Sequence, residues 1–211
     1  MSISAIIPAY NEGKTIGNVL RVVKSVPLIN EIIVISDGST DDTASIAKDY
    51  EAYVVELPSN IGKGGAIKAG LDVCNSEIIL LLDADLIGLK MNHIYDLLVP
   101  VINNEFDMTV GIFKHGRAVT DLAQKIAPIL SGQRALKKYI LEEIPNIDLV
   151  RYGLEMALTK LVNNESYRVK EIYLQDITHL TKEEKMGLVH GFSSRMKMYW
   201  DIEKVMNKYV K

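Results

Sequence analysis

The chain has 211 residues, 48% of them hydrophobic and 24% charged, with a net charge of −3, enough for one sizeable core and a single domain over residues 1–211 in two halves, 1–90 and 91–211. Charges of both signs are interspersed, so no basic surface invites nucleic acid, and an anionic ligand has to be held by local groups. Cys74 is the single cysteine, which excludes an intrachain disulfide and fits a reducing cytoplasm; the start of the chain lacks a basic leader pattern, and no apolar run approaches the ~18 residues of a membrane span, leaving peripheral membrane contact at most.

Residues 3–8 read as a buried first strand, and residues 15–25, apolar at Ile16, Val19, Leu20 and Val23, as an amphipathic helix. Residues 31–37 give a second strand rich in isoleucine and valine, and 39–42 offer N-cap chemistry for a helix running to Lys48. A third strand is expected over 52–57, a helix over 66–73 and a fourth strand over 77–82. Strands alternating with short helices predict right-handed crossovers and a parallel sheet, so the fold class is α/β and the loops after these strands share one edge.

The fourth strand carries the strongest signal. Glu77-Ile78-Ile79-Leu80-Leu81-Leu82 is apolar enough to be buried on both faces, and it runs into Asp83-Ala84-Asp85. In open α/β sheets the C-terminal strand ends border the ligand crevice, so two carboxylates there mark a metal and phosphate address. Carboxylates two apart on a regular strand point to opposite faces. For both to serve one site the chain must leave the strand, and Leu86-Ile87-Gly88 supplies an apolar stop and a glycine for the bend.

Beyond Gly88, residues 92–102 look helical and 107–113 form a plausible strand; 121–140 reads as a long helical stretch interrupted near Pro128, and 154–162 and 189–209 as further helices. No internal repeat or linker divides the chain.

Four segments meet at the strand ends: Pro8-Ala9-Tyr10-Asn11-Glu12, Asp37-Gly38-Ser39-Thr40-Asp41, Asn60-Ile61-Gly62-Lys63-Gly64-Gly65 and Asp83-Ala84-Asp85. Each alone also reads as an ordinary turn or cap. Glycines before a helix let backbone N–H groups approach a phosphate, with Lys63 as counter-charge. Gly13-Lys14-Thr15 mimics the end of a P-loop, but Pro8 stands where the first glycine is required and Glu12 would repel phosphate. Tyr10-Asn11-Glu12 likewise replaces the glycines of a dinucleotide fingerprint, which argues against a nicotinamide dehydrogenase.

In order and spacing, these four segments resemble the nucleotide-sugar half of family 2 glycosyltransferases over residues 3–86. The resemblance implies a GT-A fold with a mostly parallel central sheet flanked by helices, a nucleoside-diphosphate sugar donor, UDP-glucose-like by preference, and Mg2+ or Mn2+. It implies that Pro8, Ala9, Tyr10, Glu12 and Ser39 line the nucleoside pocket and that Asp37 accepts from the base. Gly62 and Lys63 then face donor phosphate or base, Asp83 and Ala84 lie on the ribose side, and Asp85 binds the metal.

The second half is similar, in order, to glucosyl-3-phosphoglycerate synthases, through Gly116-Arg117, Thr120-Asp121-Leu122, Pro128-Ile129-Leu130-Ser131-Gly132-Gln133-Arg134, Tyr152-Gly153-Leu154-Glu155 and Asp176-Ile177-Thr178-His179. This narrower resemblance implies an acceptor held by Arg117, Thr120, Ser131, Gly132 and Arg134, and His179 as a metal ligand with Asp85. It also implies that Glu155 contacts the sugar or serves as base. The interval between Arg117 and Thr120 departs from that group's pattern. The acceptor therefore stays open between a phosphoglycerate-like small molecule and a polyprenyl phosphate, and a non-catalytic nucleotide-sugar sensor is the rival from another class.

Other readings stand beside these. Glu155 also suits a helix N-terminus. Arg134, followed by Lys137 and Lys138, also reads as solvated surface, and His93, His115 and His190 read as surface or helix positions. The tail over 195–209 mixes bases with Met, Tyr and Trp; it packs on the domain, packs on a partner subunit in a homodimer, or lies on an anionic membrane. The expected chemistry is hexose transfer with Asp85, Lys63 and Glu155 as catalytic groups. Inversion would need a base such as Glu155 or Asp176, whereas retention could use the leaving phosphate.

Overall fold

The computed structural model describes residues 1–114, 131–145, 147 and 154–179. Strand β1 (Ile3–Ala9) pairs in parallel with β2 (Glu31–Asp37) and β4 (Ile78–Leu81), and β2 pairs in parallel with β3 (Tyr53–Leu57). The crossovers are α1 (Ile16–Lys24), α2 (Thr43–Asp49) and α3 (Lys63–Val73). The expected α/β alternation therefore holds through the first half.

Period-two alternation in β4 feeds two cores. Ile78 and Leu80 join the layer formed by Ile16, Val19 and Leu20 of α1; Ile79 and Leu81 join Ala66 and Ile67 of α3 on the other face. Burying each such branched side chain contributes roughly 1.5–3 kcal/mol. A strand packed this way on both sides is a rigid platform for whatever follows Leu81.

The second half comprises β5 (Leu86–Ile87), α4 (Met91–Ile102), β6 (Met108–Lys114), β7 (Arg134–Lys137), α5 (Lys138–Glu142), α6 (Leu154–Asn164), β8 (Val169–Gln175) and β9 (Thr178–His179). The main sheet has the order β3-β2-β1-β4-β7-β6-β8, while β5 and β9 form a separate two-stranded ladder. β7 runs antiparallel to both β4 and β6, and β8 lies parallel to β6.

Several expectations are corrected. The helix read over 121–140 does not extend through 131–140: that part is an irregular entry, then β7, then the short α5, because β4 and β6 recruit residues 134–137 as a bridging strand. Residues 121–130 and the helix read over 189–209 lie outside the described residues. α3 begins at Lys63, three residues earlier than residue 66. Its glycines permit this, since a Cβ at Gly65 would stand 2.7 Å from Ile61 Cδ1. Of the two positions read for His93, surface or helix, the helix holds: it sits buried in the first turn of α4, where its Nδ1 accepts from the Lys90 N–H at 3.2 Å. Burial, reinforced by Lys90, pushes its pKa down, which keeps that acceptor available. No helix among the described residues is long and apolar enough to cross a membrane.

Candidate active site

β4 ends at Leu81, so Asp83 and Asp85 stand beyond the ladder and escape the alternation that would separate them. The chain then forms β5, which pairs antiparallel with β9 in a register that sets Leu86 opposite His179. That ladder delivers the imidazole to the preceding residue: His179 Nδ1 lies 3.1 Å from Asp85 Oδ1. Phe113 backs the ring at a centroid distance of 4.7 Å. At the outer end of the ladder Gly88 has φ +83°, and a Cβ there would stand 2.2 Å from the Asp176 carbonyl oxygen.

Asp83, Asp85 and His179 each offer one ligand atom, and these atoms lie within 4.8 Å of one another. Two carboxylate oxygens and one imidazole nitrogen form a mixed, mostly hard donor set. Such a set fits Mg2+ or Mn2+ when further oxygens come from substrate and water.

Behind the trio lies a charged clamp. Lys63, the first residue of α3, places its Nζ 2.6 Å from Asp83 Oδ1 and 2.6 Å from Glu155 Oε1 in the first turn of α6. The second Asp83 oxygen accepts from Gln133 Nε2 at 2.7 Å, and Gln133 is fully buried. β7 explains this contact: its antiparallel register sets Arg134 against Leu81, and two steps further along Gly132 falls beside Asp83. A Cβ on Gly132 would stand 2.5 Å from both Asp83 Oδ2 and Lys63 Nζ, so a side chain here would push the ion pair aside.

Arg134 is only 1% exposed, which overturns the solvated-surface reading. Its Nε donates to the Ser131 carbonyl at 3.0 Å, and Nη2 donates to the Glu155 carbonyl at 3.3 Å and to Thr159 Oγ1 at 3.5 Å. The guanidinium thus ties the segment entering β7 to the first turn of α6. Burial pulls its pKa down to about 10 despite the neighbouring Glu155, still cationic at neutral pH. Ser131 is buried as well, donating to the Gly111 carbonyl at 2.5 Å.

The loops after β1 and β2 are laced together. Asn11 N–H donates to Ser39 Oγ at 3.1 Å, Thr40 N–H to Asn11 Oδ1 at 2.8 Å, and Gly13 N–H to Asp41 Oδ2 at 3.0 Å. Asp41 also accepts from Thr43 N–H at 3.1 Å, so it, not the N-cap Asp42, satisfies the start of α2. Tyr10 is half-exposed beside this lacing, and Pro8 and Glu12 are partly buried.

Residues 4–146 match the family described as Glycosyl transferase family 2. The chain belongs to glycosyl transferase family 2. Among relatives, it is 29% identical to a glucosyl-3-phosphoglycerate synthase of Petrotoga mobilis, covering 99% of this chain and 73% of that protein. It is 37% identical to a dolichyl-phosphate beta-glucosyltransferase of Trichomonas vaginalis, but over only 38% of this chain and 28% of that one. A crystal structure of the Mycobacterium tuberculosis glucosyl-3-phosphoglycerate synthase with Mn2+, UDP-glucose and phosphoglyceric acid superposes with a TM-score of 0.71 at 25% identity, covering 92% of this chain and 79% of that one. The α/β GT-A architecture read from the sequence therefore stands, and with it the assignment as a glycosyltransferase.

The family 2 fold brings together Lys63, Asp83, Asp85, Glu155 and His179, all named from sequence. Arg117 and Thr120 lie outside the described residues. Gln133, part of the Pro128–Arg134 segment, carries no role in the sequence reading, because a glutamine between Gly132 and Arg134 gives no signal until β7 is known to lie beside β4. The resemblance sets Asp83 on the ribose side, and the strand-end reading sets both carboxylates at a metal and phosphate address; its carboxylate stands among the three groups that could hold a metal and also in the clamp.

Burial opposes a charge on His179, but its hydrogen bond to Asp85 and the charges of Asp85 and Asp83 outweigh that, so its pKa is raised. In metal-free protein this pairing stabilises the fold fully below the unfolded imidazole value of about 6.5, and the contribution is lost as pH rises through the higher folded value. A metal needs the neutral ring, so the two pH dependences have opposite sign. Metal-free thermal stability relative to His179→Asn is expected to fall above pH ~6.5 while Mn2+ affinity climbs across the same window. Calorimetric Mn2+ titrations that stay flat with pH would count against His179 as a ligand.

Proposed function

We propose that this chain transfers glucose from UDP-glucose to a small phosphorylated acceptor of the phosphoglycerate type. The observation that carries the proposal is the convergence of Asp83, Asp85 and His179 beside Lys63 at the N-terminus of α3. That is where an activated sugar needs its diphosphate held and its departing charge stabilised. A bound Mg2+ or Mn2+, held by Asp85 and His179 with Asp83 adjoining, supplies Lewis-acid stabilisation of the leaving diphosphate. Lys63 adds a fixed cation, and the first-turn N–H groups of α3 face an anion favourably.

Pro8, Ala9, Tyr10, Glu12 and Ser39 border the nucleoside on this reading. Glu155, held by Lys63 and by the Arg134 bond to its backbone, is placed to accept from sugar hydroxyls. Gly132 and the segment entering β7 wall the sugar side, and Arg117 and Thr120 are assigned to the acceptor. Similarity covering 99% of the chain favours the phosphoglycerate type of acceptor over a lipid phosphate, for which the likeness covers 38%.

The test is release of UDP from UDP-glucose with Mn2+, measured with and without 3-phosphoglycerate and with a polyprenyl phosphate. Release stimulated by phosphoglycerate is expected. Stimulation by the lipid phosphate alone would redirect the acceptor, and binding without any turnover would leave a sensor.

A further inference from the structure

We infer that Gln133 is a positioning residue for the nucleotide donor: its buried amide fixes the carboxylate of Asp83, through which it acts. The inference rests on the donor site proposed above and adds one side chain behind it.

Asp83 lies two residues past the end of β4, beyond the ladder, so side-chain contacts set the direction of its carboxylate. Lys63 Nζ meets Oδ1 at 2.6 Å, and Gln133 Nε2 donates to Oδ2 at 2.7 Å. These contacts differ in kind. Lys63 is a charged group on a flexible stem, and a diphosphate draws it as well. Gln133 is neutral and fully buried, so its hold on Asp83 persists when the lysine turns to the donor. The Lys63 and Asp83 side chains keep 25% and 19% exposure, so a ligand that reaches the carboxylate feels Gln133 through it.

Gln133 is itself fixed at both ends. Its carbonyl accepts from the Gly111 N–H of β6 at 2.8 Å, and the next residue, Arg134, pairs with Leu81 of β4. On the side chain, Ser131 Oγ lies 3.1 Å from Oε1. An ionised carboxylate only accepts, so the amide turns its NH2 to Asp83 and its oxygen to the hydroxyl, an orientation both neighbours select. The bond to Asp83 is charge-assisted, and it comes from a donor that packing has already placed.

The experiment measures UDP affinity with Mn2+ by calorimetry in wild type, Gln133→Met, Asp83→Ala and the double variant. Methionine fills the space of glutamine and drops the donor. Loss of an outer contact of this kind typically costs 10–100-fold, so Gln133→Met is expected to weaken UDP at least about tenfold. Gln133→Asn, which keeps the amide but falls one methylene short, carries the same expectation and guards against a methionine variant that fails to fold. In the Asp83→Ala background Gln133→Met is expected to change affinity less than about twofold, because the carboxylate it serves is gone. Thr109→Val removes a buried hydroxyl that donates to the Leu97 carbonyl at 2.8 Å from the neighbouring β6, and sets the scale of a purely structural effect: a lower melting temperature with UDP affinity unchanged. Unchanged or tighter UDP binding in both Gln133 variants overturns the inference, as does an equal loss with and without Asp83. If wild type does not bind UDP with Mn2+, the donor-site reading itself fails, and the inference with it.

Discussion

Replacing Asp85 with alanine is expected to remove metal-dependent sugar transfer while leaving the sheet intact. The side chain lies beyond the end of β4, outside both apolar cores, so its loss opens no cavity among the residues that hold the fold. It does remove one of the three groups that could hold a metal and the partner of His179 at 3.1 Å. Loss of an outer contact to a metal ligand typically costs 10–100-fold in affinity or activity, so loss of a ligand is expected to exceed about a hundredfold in turnover. Mn2+ titration should show the same loss, and Asp85→Asn, which keeps shape without charge, should resemble alanine. Without Asp85 the imidazole also loses the hydrogen bond that raises its pKa, which should move toward the ordinary value. Wild-type Mn2+ affinity and turnover in either variant would remove Asp85 from the site.

The two halves of the chain differ in how far sequence reading reaches. In the first, β1, β2 and β3 are each followed by a short helix that packs back on the layered sheet, so local periodicity and tertiary structure agree; the predicted second strand, residues 31–37, coincides with β2. In the second, β7 is four residues long and sits between β4 and β6, so its state is decided by distant partners. Residues 121–140 include many good helix formers, and tertiary pairing overrides that preference at 134–137. β8 lies at the sheet's edge, with residues 169–171 all exposed, and offers no clean alternation to read.

The same contrast separates the site residues. The carboxylates after β4 are legible because the apolar run ends in Asp83-Ala84-Asp85 at the same sheet edge as three other loops, a coincidence that an ordinary turn does not explain. His179 depends on the β5–β9 ladder, two residues per strand, and was reached through family resemblance rather than pattern. Arg134 illustrates the opposite error. Its neighbours Lys137 and Lys138 suggest solvent, yet Leu81 opposite it and α6 above draw it inside. Backbone donors such as those of Ile61 and Gly62, which occupy Asp37, leave no trace in side-chain identity.

Lys63→Ala should affect donor binding and stability together, and the two effects can be pulled apart. The ammonium sits between Asp83 and Glu155, and burial alone would push its pKa down. The two carboxylates outweigh burial and raise it well above the usual lysine range, so it stays charged throughout the working pH range. Removing it leaves two partly buried carboxylates without the cation between them, although Gln133 still donates to Asp83. Breaking a buried pair costs about 3–5 kcal/mol; the clamp retains some solvent access, so a loss of roughly 2–4 kcal/mol is expected. Burial pushes the Asp83 pKa up, but Lys63 and His179 together hold it low; without Lys63 it should rise, so acid denaturation should begin at higher pH. Donor affinity should drop at least about tenfold, since the diphosphate loses a charge-assisted partner. Adding Glu155→Gln removes the stranded second carboxylate, so the double variant should recover part of the stability and none of the donor affinity, a coupling that a double-mutant cycle reads directly. Equal stability in the single and double variants would take Glu155 out of the clamp, and undiminished UDP binding in Lys63→Ala would take the lysine out of the donor site.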